Sequence, residues 1–203
     1  MIQAAIEVFG ELGYDGASTR SLARRAGVNL ASIPYHFGGK RQLYIAAAQA
    51  IAAYARKRMD PLVAHLRDAD RADHASRIDE ALSGFFRLIA DGTEPKAWAS
   101  FFIRCERDAD DAFRMIHEEI VARFERAMIE TVSEATGCNA DDECLRMRVA
   151  LALGLIVNFR TLRNMTLSSL GWDALTPERI SRLDQIIRRV SLAELLSVPA
   201  ESC

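Results

Sequence analysis

Apolar residues recur along this chain at three- and four-residue steps, and nowhere in the strict alternation of a half-buried strand. Ile2, Ala5, Ile6, Phe9 and Leu12 open the series and predict an amphipathic first helix, which Gly13 ends with a left-handed cap. Starting at Met1 leaves that helix short upstream, as though further residues preceded it. After the Asp15-Gly16-Ala17 loop, Ser18 or Thr19 caps a second helix that runs to about Ala26, where Gly27 breaks it. Asn29 caps a short third helix from Leu30 to about Phe37. Gly38-Gly39 closes it, and Lys40 opens a long fourth helix through Leu43, Ile45, Ala48 and Ile51 to about Arg58.

The rest of the chain repeats the pattern. Pro61 is expected at the start of another helix, which decays in the polar stretch 68–74. Ser76 caps one carried by Ile78, Leu82, Phe85, Phe86 and Ile89 and closed by Gly92; Pro95 starts one carried by Trp98, Phe101 and Phe102. Phe113, Ile116, Ile120, Phe124, Met128 and Val132 predict a single long helix from about Asp110 to Thr136, stopped by Gly137. Asp141 caps the next, in which Val149–Val157 is apolar on every face. Such a helix must be covered on all sides, which in a chain of this size favours burial partly by a second subunit, with Gly154 admitting a partner backbone. Thr176-Pro177 starts a final helix to about Leu196. The fold class expected is all-α.

Composition narrows the function. At 203 residues, 50% hydrophobic and 27% charged, the chain reads as a soluble globular protein with a substantial core. Its net charge of −2 hides an asymmetry: residues 1–58 carry eight Lys/Arg against three acids, and no Asp or Glu occurs from Gly16 to Arg58. An acid-free basic segment ahead of an acidic remainder suits a polyanion-binding head on a solvating body. Cys105, Cys138, Cys144 and Cys203 form no CxxC pair and no metal-like spacing with histidine, so reduced thiols, no metal and no cofactor are expected. The longest apolar run, Val149 to Val157, is far short of the roughly twenty residues of a membrane span. With no export leader in view, a cytoplasmic protein is expected.

The strongest motif lies at residues 19–37. Ala23 is small, Gly27 follows four residues on, and Ile33 six beyond that, with Leu22, Ala26 and Val28 between. Two short helices crossing steeply need a small residue where they touch, a glycine for the left-handed turn, and an aliphatic residue returning to the core. This is the arrangement of a helix-turn-helix, which presents its second helix to a major groove.

The run Phe9-Gly-Glu-Leu-Gly-Tyr-Asp-Gly-Ala-Ser-Thr-Arg-Ser-Leu-Ala-Arg-Arg-Ala-Gly-Val28, followed by Tyr35-His-Phe-Gly-Gly-Lys40, resembles the TetR family of transcriptional regulators. The motif covers about residues 1–50; beyond it the chain is similar only in helical layout. The wording Ile33-Pro-Tyr-His-Phe-Gly-Gly-Lys40 and Leu170-Gly-Trp-Asp-Ala-Leu-Thr-Pro-Glu178 resembles most the CecR-type branch. The resemblance implies a DNA-binding head over residues 1–46 and an effector-binding, dimerising body over residues 47–203.

It also implies roles. Thr19, at a helix N-terminus, holds a phosphate with its hydroxyl and amide. Arg20 makes a bidentate base contact, best to guanine. Leu30 and Ala31 can offer only apolar contacts, such as to a thymine methyl. Ser32, Tyr35 and His36 reach phosphate or sugar, and Lys40 matches the family's phosphate-binding lysine. Pro34 departs from the pattern, because many relatives carry Tyr there. It removes a backbone bond to Leu30 and crowds that carbonyl, so a bent or partly 3₁₀ recognition helix is expected.

For the body, the resemblance implies an effector pocket, with Trp98, Phe101, Phe102, Arg104, His117 and Phe159 as candidates and Asn158 and Arg160 as polar anchors. A homodimer is expected through the helices at about 110–136 and 141–165. The function expected is a ligand-responsive repressor that binds a pseudo-palindromic operator and is released by a small molecule. A helical enzyme is disfavoured by the lack of a nucleophile–base pair, metal cluster or phosphate-binding Gly loop. An interaction bundle with a basic head for an acidic partner is the third reading.

Overall fold

The computed structural model describes residues 1–68, 70, 73–90 and 95–197, and within them every regular element is helical. Eleven α-helices are described: α1 Ile2–Gly16, α2 Thr19–Ala26, α3 Ser32–Phe37, α4 Lys40–Leu66, α5 His74–Ala90, α6 Lys96–Asp108, α7 Asp111–Ile116, α8 Ala122–Thr136, α9 Glu143–Thr161, α10 Arg163–Ser169 and α11 Pro177–Leu195. A π-helical turn, His117–Val121, joins α7 to α8. The expected long helix over 110–136 is thus present as one unbroken helical run, with the π-turn inside it. Gly137, at φ 75°, ends it as expected.

The chain divides into two compact units: residues 1–57 with 93–122, and residues 58–92 with 123–203. Compactness thus groups α6 and α7 with α1–α3 and the part of α4 up to Lys57, across the boundary expected after residue 46. The cause is a close seam in the first unit. Gly10 of α1 lies so near α6 that an added Cβ would sit 2.7 Å from the Ala97 carbonyl oxygen and 3.3 Å from the Phe101 nitrogen. Around that seam Ala5, Ile6, Phe9, Leu22, Ile33, Leu43, Ala47, Phe101 and Ile116 form one buried cluster. Phe9, Tyr44 and Phe101 stand with ring centroids 4.8–6.4 Å apart at its centre.

Several helix ends differ from expectation. Gly13 has φ 75° and ψ 176°, which is no left-handed cap; it kinks α1, and one more turn follows to Gly16. Arg104 of α6 closes the kink, donating through Nε to the Gly10 carbonyl at 2.7 Å and through Nη2 to the Glu11 carbonyl at 2.6 Å. These are carbonyls of the kind a helix end leaves without partners. Pro61 starts no helix, because α4 runs through it to Leu66. Met59, Val63 and Leu66 are all buried, and their burial outweighs the roughly 3 kcal/mol a mid-helix proline costs.

In the second unit, α5, α9 and α11 pack on one another. Phe85 meets Phe124 at 5.1 Å and Phe86 meets Phe159 at 5.3 Å between centroids. Two buried arginines take up helix-terminal carbonyls. Arg77 donates to Leu66 O at the end of α4 at 2.8 Å, and Arg148 donates to Ser197 O beyond α11 at 2.7 Å and to Glu194 O. Asp73 caps the start of α5 where Ser76 was expected, and Asp142 caps α9 where Asp141 was expected. Thr176 caps α11 with Pro177 first in the helix, as the sequence implies. Gly92 and Cys203 lie outside the described residues, as does part of the 68–74 stretch. Cys105 and Cys138 are free thiols.

Val149–Val157 is covered on one side only. Val149, Ala152, Leu153 and Ile156 are buried, whereas Leu151 is 73% and Leu155 45% exposed. Met147, Ile186 and Val190 are exposed as well, so the open apolar surface belongs to α9 and α11. The segment over 110–136 has no such face: Phe124, Ala127, Met128, Ile129 and Val132 of α8 are buried within the second unit. The expected contribution of 110–136 to a dimer interface therefore finds no exposed large apolar side chain in that segment.

Candidate nucleic-acid interface

The helix-turn-helix is assembled from local signals that agree. Ser18 caps α2, its Oγ accepting from the Ser21 N–H at 3.0 Å, while the Ser21 hydroxyl oxygen accepts from the Ser18 N–H at 3.0 Å. This reciprocal cap leaves the Thr19 side chain out of the capping role. The Thr19 and Arg20 N–H groups find no acceptor among the described residues. At the other end Gly27 takes φ 66°, ψ 32°, with Val28 N–H bonded to Ala23 O and Gly27 N–H to Arg24 O in a Schellman motif. Ala23 and Ile33 are buried where α2 meets α3.

Leu30 and Ala31 lie in the turn before α3 rather than in its first turn, because Asn29 ties down the entry. Asn29 Oδ1 accepts from Ala31 N–H at 3.0 Å and its carbonyl from Ser32 N–H at 2.9 Å. The Leu30 carbonyl, which Pro34 has no N–H to reach, instead accepts from Ile33 N–H at 3.4 Å, an i→i−3 bond. The tight, partly 3₁₀ entry expected from Pro34 is thus present. Ser32 is half-buried, His36 exposed, and Tyr35 is 83% exposed with its ring edge-on to His36 at 4.8 Å.

Lys40 begins α4 with Nζ 4.3 Å over the centroid of the Tyr14 ring. Tyr14 in turn stands 6.2 Å from Phe9 and 5.0 Å from Tyr44. An ammonium over an aromatic face is held by the ring quadrupole, so Tyr14 positions the lysine. Sequence reading missed this role, and no signal carried it, because the pair is 26 positions apart.

α4 is anchored to the start of α7. Tyr44 donates to Asp110 Oδ2 at 2.6 Å, and Arg41 pairs with Asp111 at 2.8 Å. Burial first, then the bond to Asp110, pushes the Tyr44 phenol above its ordinary value. The Arg41 hydrogen bond, helped by Arg114, holds Asp111 below the usual carboxylate range. Burial also pushes the nearby Cys105 thiol up to about 12, so it is an inert core sulfur.

The effector candidates fall in both units: Trp98, Phe101, Phe102, Arg104 and His117 in the first, Asn158, Phe159 and Arg160 in the second. Phe101 is core between Phe9 and Tyr44, and Arg104 donates to two carbonyls of α1. Trp98 donates through Nε1 to Gln3 Oε1 at 3.3 Å and meets Tyr54 edge-on. Phe102 and His117 are joined through Phe113, at 6.2 and 5.6 Å from its ring. In the second unit Asn158 is exposed, Phe159 is packed on Phe86, and Arg160 is half-buried. A cleft of about 400 Å³ that sequence reading did not foresee lies there, lined by Arg58, Leu62, Gly84, Arg87, Leu88 and Ile180. Among the described residues no helix is long and apolar enough to cross a membrane, and no His/Cys/Asp/Glu group could hold a metal.

Comparison with known proteins agrees with this geometry. Residues 1–47 match the profile of bacterial regulatory proteins of the tetR family, and residues 75–197 match the C-terminal domain of the HTH-type transcriptional dual regulator CecR. The chain is 29% identical over 196 residues to the CecR regulator of Shigella flexneri, covering 92% of this chain and 86% of that one. It is 31% identical over 147 residues to the HTH-type transcriptional activator FasR of Mycolicibacterium smegmatis, covering 65% of this chain and 64% of that one. A TetR-family regulator from Streptomyces coelicolor shares the fold at TM-score 0.62 and 19% identity, over 95% of this chain and 89% of that one. The regulator FadR from Bacillus subtilis, solved with stearoyl-CoA, does so at TM-score 0.61 and 16% identity, over 95% and 96%. The chain belongs to the TetR family, with a CecR-type C-terminal domain, and is a DNA-binding transcriptional regulator rather than an enzyme.

Proposed function

We propose that this regulator is a homodimeric repressor that places α3 of each protomer in successive major grooves of a pseudo-palindromic operator, roughly 34–36 Å or a multiple apart. The observation that carries the reading is the start of α2. Its capping box leaves Thr19 and Arg20 N–H groups unbonded beside an exposed Arg20, in a segment without acids. Thr19 and Lys40 grip phosphates, with Ser32, Tyr35 and His36 on the sugar-phosphate rail, and Arg20 reaches a base. The DNA-contacting part ends near residue 46, and the protein acts in the cytoplasm.

The second copy covers the open face of α9 and α11. Met147, Leu151 and Leu155 follow at four-residue steps on α9, and Ile186 and Val190 are exposed on α11, which packs against α9. Large exposed apolar patches are rare on monomers. A small molecule then shifts the population toward a form that no longer fits DNA. The 400 Å³ cleft, within the size range of ligand sites, and the Phe102–Phe113–His117 row are where it binds or is sensed.

The test is a footprint and gel shift on the promoter nearest its own gene. Arg20→Ala weakens binding by about 1–3 kcal/mol and relaxes one base position; Lys40→Ala weakens all sequences alike and lowers the salt slope by about one. Unchanged affinity in both variants rejects the docking.

A further inference from the structure

Within the recognition segment, the exposed side chains of Leu30, Ala31 and Pro34 carry no group that can hydrogen-bond; Leu30, 46% exposed, and Ala31 lie in the turn, Pro34 in α3, and the polar groups of Tyr35 and His36 follow them. Ile33 is fully buried, and Phe37 packs on the same core. The backbone is occupied too. The N–H groups of Ala31, Ser32, Ile33 and Tyr35 all donate within the segment, to Asn29 Oδ1, Asn29 O, Leu30 O and Ala31 O, and Pro34 has none. A helix start ordinarily leaves several N–H groups free for a ligand. Here they are spent internally, in contrast to α2.

What faces outward is therefore the hydrocarbon of Leu30, Ala31 and Pro34, with the Tyr35 ring beyond it. Along a major-groove edge the thymine C5-methyl is the one apolar feature. Any other base edge pressed against these residues loses its hydration and gains no bond in return. We infer that α3 reads its half-site through thymine methyl groups, with Leu30, Ala31 and Pro34 selecting adjacent thymines and Arg20 of α2 making the polar base contact. This rests on the proposed docking of α3 in the major groove.

The test selects binding sites from random duplexes with the full-length protein, then replaces thymine by deoxyuridine in the enriched site. Adjacent thymines are expected in each half-site, and each methyl removed at those positions lowers affinity about fourfold, the worth of one buried carbon. At the same positions 5-methylcytosine is expected to bind more tightly than cytosine by a similar factor. Leu30→Gln, an exposed change that leaves the core intact, should shift selection toward adenine and blunt the deoxyuridine effect. An enriched site that binds equally well with every thymine replaced overturns methyl reading while the DNA-binding function stands. Enrichment of no duplex at all overturns the docking, and both readings fall together.

Discussion

The surface around α2 and α3 and the open face of α9 and α11 treat water in opposite ways. Around α2–α3 Leu22, Ala23 and Ile33 go inward and Arg20, Arg24, Arg25 and His36 stay outside, so that polar side chains outnumber the exposed Leu30, Ala31 and Pro34. On α9 and α11 the inside is equally well filled, yet Met147, Leu151, Leu155, Ile186 and Val190 are left in solvent. A charged surface is well hydrated until a polyanion releases its counterions, so its binding is reversible and salt-dependent. An apolar face has no such resting state, because each exposed methylene costs about 0.8 kcal/mol against burial. Under the proposed function the first surface meets an occasional partner and the second a permanent one.

The sharpest way to break that comparison is to charge the permanent face. Leu151→Glu with Leu155→Glu should leave a folded monomer by sedimentation and, by removing bivalency, weaken operator binding by about 10²–10⁴-fold. A variant that still sediments as a dimer would show that another face pairs the protomers. The remaining changes test whether the first unit can be weakened alone, with sedimentation unaltered. Gly10→Ala drives a Cβ into the Ala97 carbonyl, which is backbone and cannot swing away; a loss of about 2–3 kcal/mol in urea unfolding is expected. Arg104→Met keeps the aliphatic stem but frees the Gly10 and Glu11 carbonyls, for a loss of about 2 kcal/mol.

Tyr44→Phe has the smallest effect, about 1 kcal/mol near neutral pH, and a distinct pH signature. The Tyr44 phenol is raised in the folded state, so its contribution is complete below the unfolded value of 10.0 and is lost as pH rises above it. Wild-type stability should fall above pH 10.0 more steeply than that of the variant. Parallel profiles would mean that the phenol ionises alike in both states.

The parts of the fold legible in the sequence were those set by neighbours a few residues apart. The α2–α3 turn is one, because Ser18, Ala23, Gly27 and Ile33 each answer a local demand of capping, crossing or left-handed backbone. Thr176-Pro177 is another. Errors came where a local signal met a longer-range one. Pro61 reads as a helix start, but the buried row Met59, Val63 and Leu66 carries α4 through it. Gly13 reads as a stop, but Arg104, 91 positions away, takes up carbonyls beside the kink and the chain turns on to Gly16.

The candidate interface shows the same division. Arg20, Tyr35, His36 and Lys40 were nominated from wording alone, whereas the support of Lys40 by Tyr14, and of α4 by Asp110 and Asp111, needed the fold. By itself the sequence determined an all-helical chain, a helix-turn-helix near its start, and a helix with an all-apolar stretch at Val149–Val157, since periodicity, capping and composition act within a turn or two. Only the tertiary structure decided which side of that helix stays open, that α11 rather than the 110–136 segment extends it, and that α6 joins the head. Those outcomes depend on which surfaces meet across a hundred residues, and burial is settled by the meeting rather than by the residues alone.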